Sequence, residues 1–292
     1  MPITVNSGVT STNINLRGDN MYVYGSATYT TVSNYGYMYV YKNGTALNTT
    51  LSSGGRLIVS GGAVAWGTVS NYGTATICDK GQATSMTIKS GGCMRVYGEG
   101  SATYIVVSSG GIISISNGGL AQQATLNNGG AMYISSGGMA IGATVSSDAW
   151  ISVSSGGVAA ATTIQNRGWI YVFRGGAANS IFISSGGVMN VSSGGTANFA
   201  RISSGGRLSV SSGGVASGAA VVKGGYMYVY GVGASANSAT VVSGNLHVYS
   251  QGSASNTTVS GGLLDVYSKG RAERTAVSYG GSMKISSGAV AY

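Results

Sequence analysis

The sequence predicts an all-β fold, a right-handed parallel β-helix (β-solenoid) of about 15 rungs with a repeat of roughly 19 residues. Three observations predict it: an apolar column at fixed spacing, paired glycines between short segments, and apolar/polar alternation within each segment. The column is plainest at Val107, Leu126, Val145, Ile164, Ile183 and Ile202. A second runs through Val96, Ile115, Ile134, Val153, Val172 and Val191, and a third, of small residues, through Ala102, Ala121, Ala140, Ala159 and Ala178.

Alternation such as Met132-Tyr133-Ile134 has the period of a strand. β-Branched residues at the periodic positions, and glycine pairs every nine or ten residues, disfavour helix. The chain has 51 Gly but a single Pro, which excludes collagen and proline-rich linkers and leaves glycine a regular use in turns needing φ > 0. Units stacked at the inter-strand distance of ~4.8 Å would make a rod on the order of 70 Å long, and parallel crossovers favour the right-handed coil.

Residues 1–20 read as an irregular N-terminal rung or cap and 21–292 as the repeat β-helix. With 43% apolar and 7% charged residues the chain can build a large core under a thinly charged surface, and its composition is not that of a disordered segment. No apolar run approaches the ~20 residues of a membrane-spanning helix. No basic and apolar leader opens the sequence, so either the protein is cytosolic or its start has been removed. The last residues stop partway through a repeat, as expected of a fragment of a longer chain. The net charge of +9 comes from singly spread Lys and Arg, a pattern that excludes the concentrated stripe of a nucleic-acid binder but allows weak attraction to anionic glycans or lipopolysaccharide.

Residues flanking an inward column point outward. Beside the second column lie Tyr22, Tyr24, Tyr39, Tyr41, Tyr228, Tyr230, Tyr249 and Tyr267, with Tyr97, Tyr133, Tyr171 and Phe173 between them. Such a stripe is either a consequence of β-propensity and ring stacking or an aromatic platform for glycans or for another copy. Threonines such as Thr87, Thr125 and Thr144 precede the first column, and serines such as Ser33, Ser70, Ser146 and Ser260 follow it, giving a hydroxyl-rich face.

No constellation for catalysis is visible. The acids Asp19, Asp79, Glu99, Asp148, Asp265 and Glu273 fall at unrelated positions of the repeat, and His247 occupies an outward tyrosine position. A carboxylate pair, a Ser/His/Asp triad and a zinc ligand set are all missing, so the chain reads as a non-enzyme without metal or cofactor. Cys78 and Cys93 fall at opposite ends of equivalent strands in successive units, a poor geometry for a disulfide.

The motif Val107-Ser108-Ser109-Gly110-Gly111, repeated as Val153-Ser154-Ser155-Gly156-Gly157-Val158-Ala159 and Val210-Ser211-Ser212-Gly213-Gly214-Val215-Ala216, resembles the imperfect 19-residue repeats of the AIDA-I/TibA class of self-associating autotransporter adhesins. The resemblance covers residues 21–292. It implies a passenger on the bacterial cell surface, secreted through an outer-membrane barrel that this sequence lacks. It also implies host-cell adhesion, autoaggregation and biofilm formation, with a role in virulence, and heptose attached covalently to repeat serines by a cytoplasmic heptosyltransferase. The first serine of each turn follows an inward residue and should point outward, while the second should turn inward and cap the bend. The expected acceptors are therefore Ser52, Ser60, Ser108, Ser135, Ser154, Ser184, Ser192, Ser203 and Ser211. The competing readings are a passive spacer displaying a separate adhesive tip and a carbohydrate-active solenoid enzyme.

Overall fold

Residues 93–111 show how the repeat folds. Cys93–Val96, Ser101–Thr103 and Val106–Val107 are strands of four, three and two residues. Their alternation buries Met94, Val96, Ala102 and Val107 and leaves the other residues of the three strands partly or fully exposed. A turn follows the four-residue strand and another the two-residue strand. Between the shorter strands the chain bends at a single left-handed residue, Tyr104, at φ 56°. The protein is this coil repeated, seen in a computed structural model that describes residues 2–69, 72–89 and 91–292.

The chain divides into two units, Met1–Ala143 and Thr144–Tyr292. In the first, four-residue strands pair in parallel from Asn20–Val23 to Ala131–Ile134, and Ile3–Val5 lies against Met21–Val23. Like positions meet like: Ile77, Val96, Ile115 and Ile134 are register partners in succession, as are Ala83, Ala102, Ala121 and Ala140. The second unit repeats the arrangement from Trp150–Val153 to Ser282–Ile285, with Ile164, Ile183, Ile202, Val221, Val241 and Val259 forming one ladder. Helix is absent among the described residues. The architecture is thus the all-β parallel solenoid that the periodicity predicts.

The turn geometry explains the glycine pairs. In Ser108-Ser109-Gly110-Gly111 both central residues have positive φ, 51° and 77°, and the Gly111 amide donates to the Ser108 carbonyl at 2.9 Å. This is a type I′ turn, whose second central residue is commonly glycine. The following glycine serves close approach: a Cβ on Gly111 would lie 2.3 Å from the Ile88 carbonyl oxygen of the preceding coil. Bends and turns also join the ladder, since the left-handed Tyr104 and Asn117 donate to Gln122 and Ser136 of the next coil at 3.0 and 2.8 Å. Amides in the strands and just after them donate backward instead, as Val106 does to Met86 and Ser108 to Ile88, both at 2.9 Å. The backbone is therefore stitched in both directions, which satisfies amides that would otherwise be costly to bury.

Residues 3–17 already form a coil, with partners at shorter offsets than 19: Thr10 faces Ser26 and Asn15 faces Thr31. A second irregularity lies at Gly67, where the register shifts against Ala46–Leu51. There the chain is one residue shorter, and a Cβ on Gly67 would lie 1.9 Å from the Thr49 carbonyl oxygen.

Among the described residues five inward columns fill the interior coils, two more than the three apparent from the sequence. One lies two residues ahead of the Val96 column and includes Met38, Leu57, Met94, Met132, Ile170 and Leu246, all fully buried. The other precedes the Val107 column and mixes Thr30, Thr49, Ile105, Ala124, Thr162 and Ala200. Alanine in the third column sits where the three-residue strand faces the others across the coil's narrow interior, and Ala102, Ala159 and Ala178 are fully buried.

Candidate functional site

The four-residue strand presents two outward positions, and the residue just after it a third. Side chains there lie beside their strand neighbour two residues on and beside their counterpart one coil on. Aromatic residues at these positions consequently build two-dimensional stacks. In the first unit Tyr22 stacks on Tyr39 at 5.4 Å and Tyr24 on Tyr41 at 5.1 Å, while Tyr39 lies parallel to Tyr37 and Tyr41 within its own strand. The guanidinium of Arg56 caps this array, 5.2 Å over the Tyr37 ring and donating to its hydroxyl at 2.9 Å. Mutual burial pushes the Tyr39 and Tyr41 hydroxyls above their ordinary pKa.

The second unit carries two further arrays. Trp169, Tyr171 and Phe173 lie parallel along one strand, and Trp150 is the register partner of Trp169. Further on, Tyr226 stacks on Tyr228, Tyr228 on His247, and Tyr249 on Tyr267 at 4.5 Å and 5°. Arg207 lies 5.3 Å over Tyr228, as Arg56 does over Tyr37. Tyr24 and Tyr230 are exposed, whereas Tyr22, Tyr39, Tyr41, Tyr228, Tyr249 and Tyr267 are half-buried by their neighbours. Seven of the eight expected tyrosines thus lie outward in stacks within their own units, and the eighth, Tyr230, is outward and exposed without a ring partner among those stacks. Tyr37, Trp150, Trp169 and Tyr226 belong with them but escape the sequence reading; the available signal was an offset of two from a chosen aromatic for Tyr37, Trp169 and Tyr226, and the 19-residue spacing from Trp169 for Trp150. Tyr29, Tyr35, Tyr104 and Phe199 project from left-handed bends and turns, which alternation does not mark.

The hydroxyl rows are real but differently aimed. All nine expected acceptors, Ser52, Ser60, Ser108, Ser135, Ser154, Ser184, Ser192, Ser203 and Ser211, stand at the strand rim and are half-buried. Ser211 turns back onto the preceding coil, its Oγ donating to the Val191 carbonyl at 3.5 Å, and Ser278, a rim serine outside the nine, does the same to Val259 at 3.4 Å. The second serines, expected inside, are exposed instead, as at Ser53, Ser109, Ser155, Ser185, Ser193 and Ser204. The reason is their left-handed backbone in the type I′ turn, which swings Cβ away from the core. Ser70, assigned to the same row, lies outside the described residues.

Asp148, Glu99 and Asp265 each face one basic side chain. Arg167 donates to Asp148 at 2.9 Å, and Lys80 lies 3.8 Å from Glu99, both on exposed turns. His247 stands 3.4 Å from Asp265, its register partner on the next coil. Among the described residues no group of three metal-ligating side chains occurs. Cys78 and Cys93 are both free thiols. Cys93 is the register partner of Thr74, which places it a strand's length from Cys78.

Comparison with known proteins fixes the class. Residues 166–225 match the family described as adhesin of bacterial autotransporter system, probable stalk. The crystal structure of a TibA fragment, hyper-glycosylated in a reaction catalysed by TibC, superimposes with a TM-score of 0.84 and 35% sequence identity, covering 97% of this chain and 99% of that one. No curated protein sequence matches. The chain belongs to the AIDA-I/TibA class of autotransporter adhesin passengers, which are displayed on the cell surface.

Proposed function

We propose that the chain is a heptosylated passenger that mediates host-cell adhesion, autoaggregation and biofilm formation, with aromatic stacks and turn serines as its contact surfaces. The observation that carries this reading is the repetition of one outward surface on successive coils, with serine rims and aromatic stacks at constant register. A surface of this kind supports many weak contacts in parallel, and its affinity grows with the number engaged. A second copy offers the same periodicity, which makes self-association a natural outcome. The likeness to a TibC-glycosylated fragment supports a heptosyltransferase as the modifying partner, acting in the cytoplasm before secretion across the outer membrane.

The proposed acceptors are the nine rim serines. A second reading has a specific observation behind it: the exposed second serines, Ser109 and Ser155 among them, offer a sugar more room in the folded coil. Co-expression with a heptosyltransferase of this class, followed by intact mass and fragment mapping, tests both. Added heptose units mapped to the rim serines support the first reading, units on their successors support the second, and an unchanged mass rejects modification. Removing residues 188–206, one whole coil, separates a contact surface from a passive spacer. Distributed contacts lose aggregation strength with each coil removed, whereas a spacer keeps it.

A further inference from the structure

The aromatic stack of the first unit stops at Tyr37 and Tyr39. On the next coil their register partners are Arg56 and Ile58, followed by Thr74 and Thr76, then Cys93 and Arg95. Tyr97 stands just beyond the end of that last strand. Short side chains between taller ones leave an open groove on the sheet face, floored by Ile58, Thr74 and Thr76. Tyr37 and Tyr39 wall it at one end, Arg95 and Tyr97 at the other, and Arg56 stands along its border. The backbones of Tyr39 and Arg95 are three strand spacings apart, roughly 14 Å, so the gap accepts a sugar ring.

Its chemistry is one-sided. Two guanidinium groups border the groove and none of the lining side chains is an acid. Asp79 and Glu99 lie on turns adjoining the Tyr97 end, where Glu99 faces Lys80 at 3.8 Å, and Asp19 lies on the turn beside Tyr37. Arg56 is held in place by Tyr37, and one hydrogen bond to that hydroxyl leaves further guanidinium donors for a ligand. Arg56 and Thr74 also border a second depression, formed with Asn34 and Tyr35 on one adjacent turn and Ser53 on the turn of the next coil, so the surface continues beyond one ring.

We propose that this groove binds an acidic saccharide, with Arg56 and Arg95 taking its carboxylate, sulfate or phosphate group and the rings of Tyr39 and Tyr97 packing on the sugar. Guanidinium forks suit such oxyanions, tyrosine offers an apolar face with a polar tip, and the threonine hydroxyls of the floor meet ring hydroxyls. The site specifies a ligand class for the adhesin reading and rests on it only for its biological setting; it requires no serine modification.

The test uses the full unmodified chain in calorimetric titrations with 3′-sialyllactose, with 3′-sulfated lactose, and with lactose as the neutral probe. At least one acidic probe is expected to bind about tenfold more tightly than lactose, and the two acidic arms tell carboxylate from sulfate recognition. Arg56→Gln with Arg95→Gln should remove that preference, whereas Arg174→Gln with Arg201→Gln, which lowers net charge equally on the other unit, should keep it. Thr76→Tyr provides a variant compatible with the fold, because Tyr39, Tyr133 and Tyr171 occupy the same column; it should fill the groove and abolish binding. Equal binding of acidic and neutral probes, no binding of any, equal losses in the two double variants, or full binding by Thr76→Tyr would each overturn the site. Class membership rests on sequence and fold, so such results would leave the adhesin reading standing. Loss of aggregation in the coil-deletion experiment bears on that reading alone.

Discussion

The ring of His247 lies 5.3 Å from that of Tyr228 at 15°, stacked on the preceding coil, while Asp265 on the following coil stands 3.4 Å from its Nδ1. Two influences oppose each other there. Burial lowers the imidazole pKa below its ordinary 6.5, and the Asp265 carboxylate raises it by less.

A pH dependence follows from that balance. The folded imidazole resists a proton that the unfolded chain accepts, so its contribution to stability is complete above 6.5 and declines as pH falls through that value toward the lower folded pKa. His247→Tyr restores the tyrosine common in this column and removes the titration. Urea midpoints at pH 7 and pH 5 should differ more for the parent than for the variant; equal differences would show that His247 is not responsible.

Thr49 offers a stabilising substitution. Its Oγ1 is buried and has no hydrogen-bond partner, as do those of Thr30 and Thr257. Thr49→Val replaces the stranded hydroxyl with a methyl of similar size and should stabilise the protein by about 1 kcal/mol. Denaturant unfolding measures this, and a lowered midpoint would mean that the hydroxyl is satisfied in solution.

Ile183 tests the ladder. It is fully buried between register partners Ile164 and Ile202. Ile183→Ala removes contacts to both and should cost about 2–5 kcal/mol, whereas Phe182→Ala, at the neighbouring exposed position, should cost much less. Similar losses from the two would contradict the assignment of inward and outward residues.

Both thiols should titrate without reductant. Unreduced, denatured protein is expected to react with two equivalents of a thiol reagent, because Cys78 and Cys93 are separate free cysteines. Zero equivalents would reveal a bridge and a different local register.

The legible part of the fold came from period and composition. Val107, Val96 and Ala102 announce themselves because one residue type recurs at one spacing, and the outward tyrosines beside the Val96 column follow by alternation. The column of Thr49, Ile105 and Ala124 was hidden, since its members share no chemistry and follow a bend that interrupts the alternation. The serine rows were found in sequence, yet the second serine was aimed wrongly. Its direction depends on the sign of φ in the turn, 51° at Ser109, which residue identity leaves open.

By itself, the sequence determined that coils of about nineteen residues stack in register, because only that arrangement buries every Val, Ile and Ala column against its own kind. Tertiary structure alone decided where that stacking leaves gaps and pairs. The groove beneath Tyr39, the arginine over Tyr37 and the His247–Asp265 contact each join residues from different coils. Their distances are set by strand spacing and side-chain height, quantities that no single repeat contains.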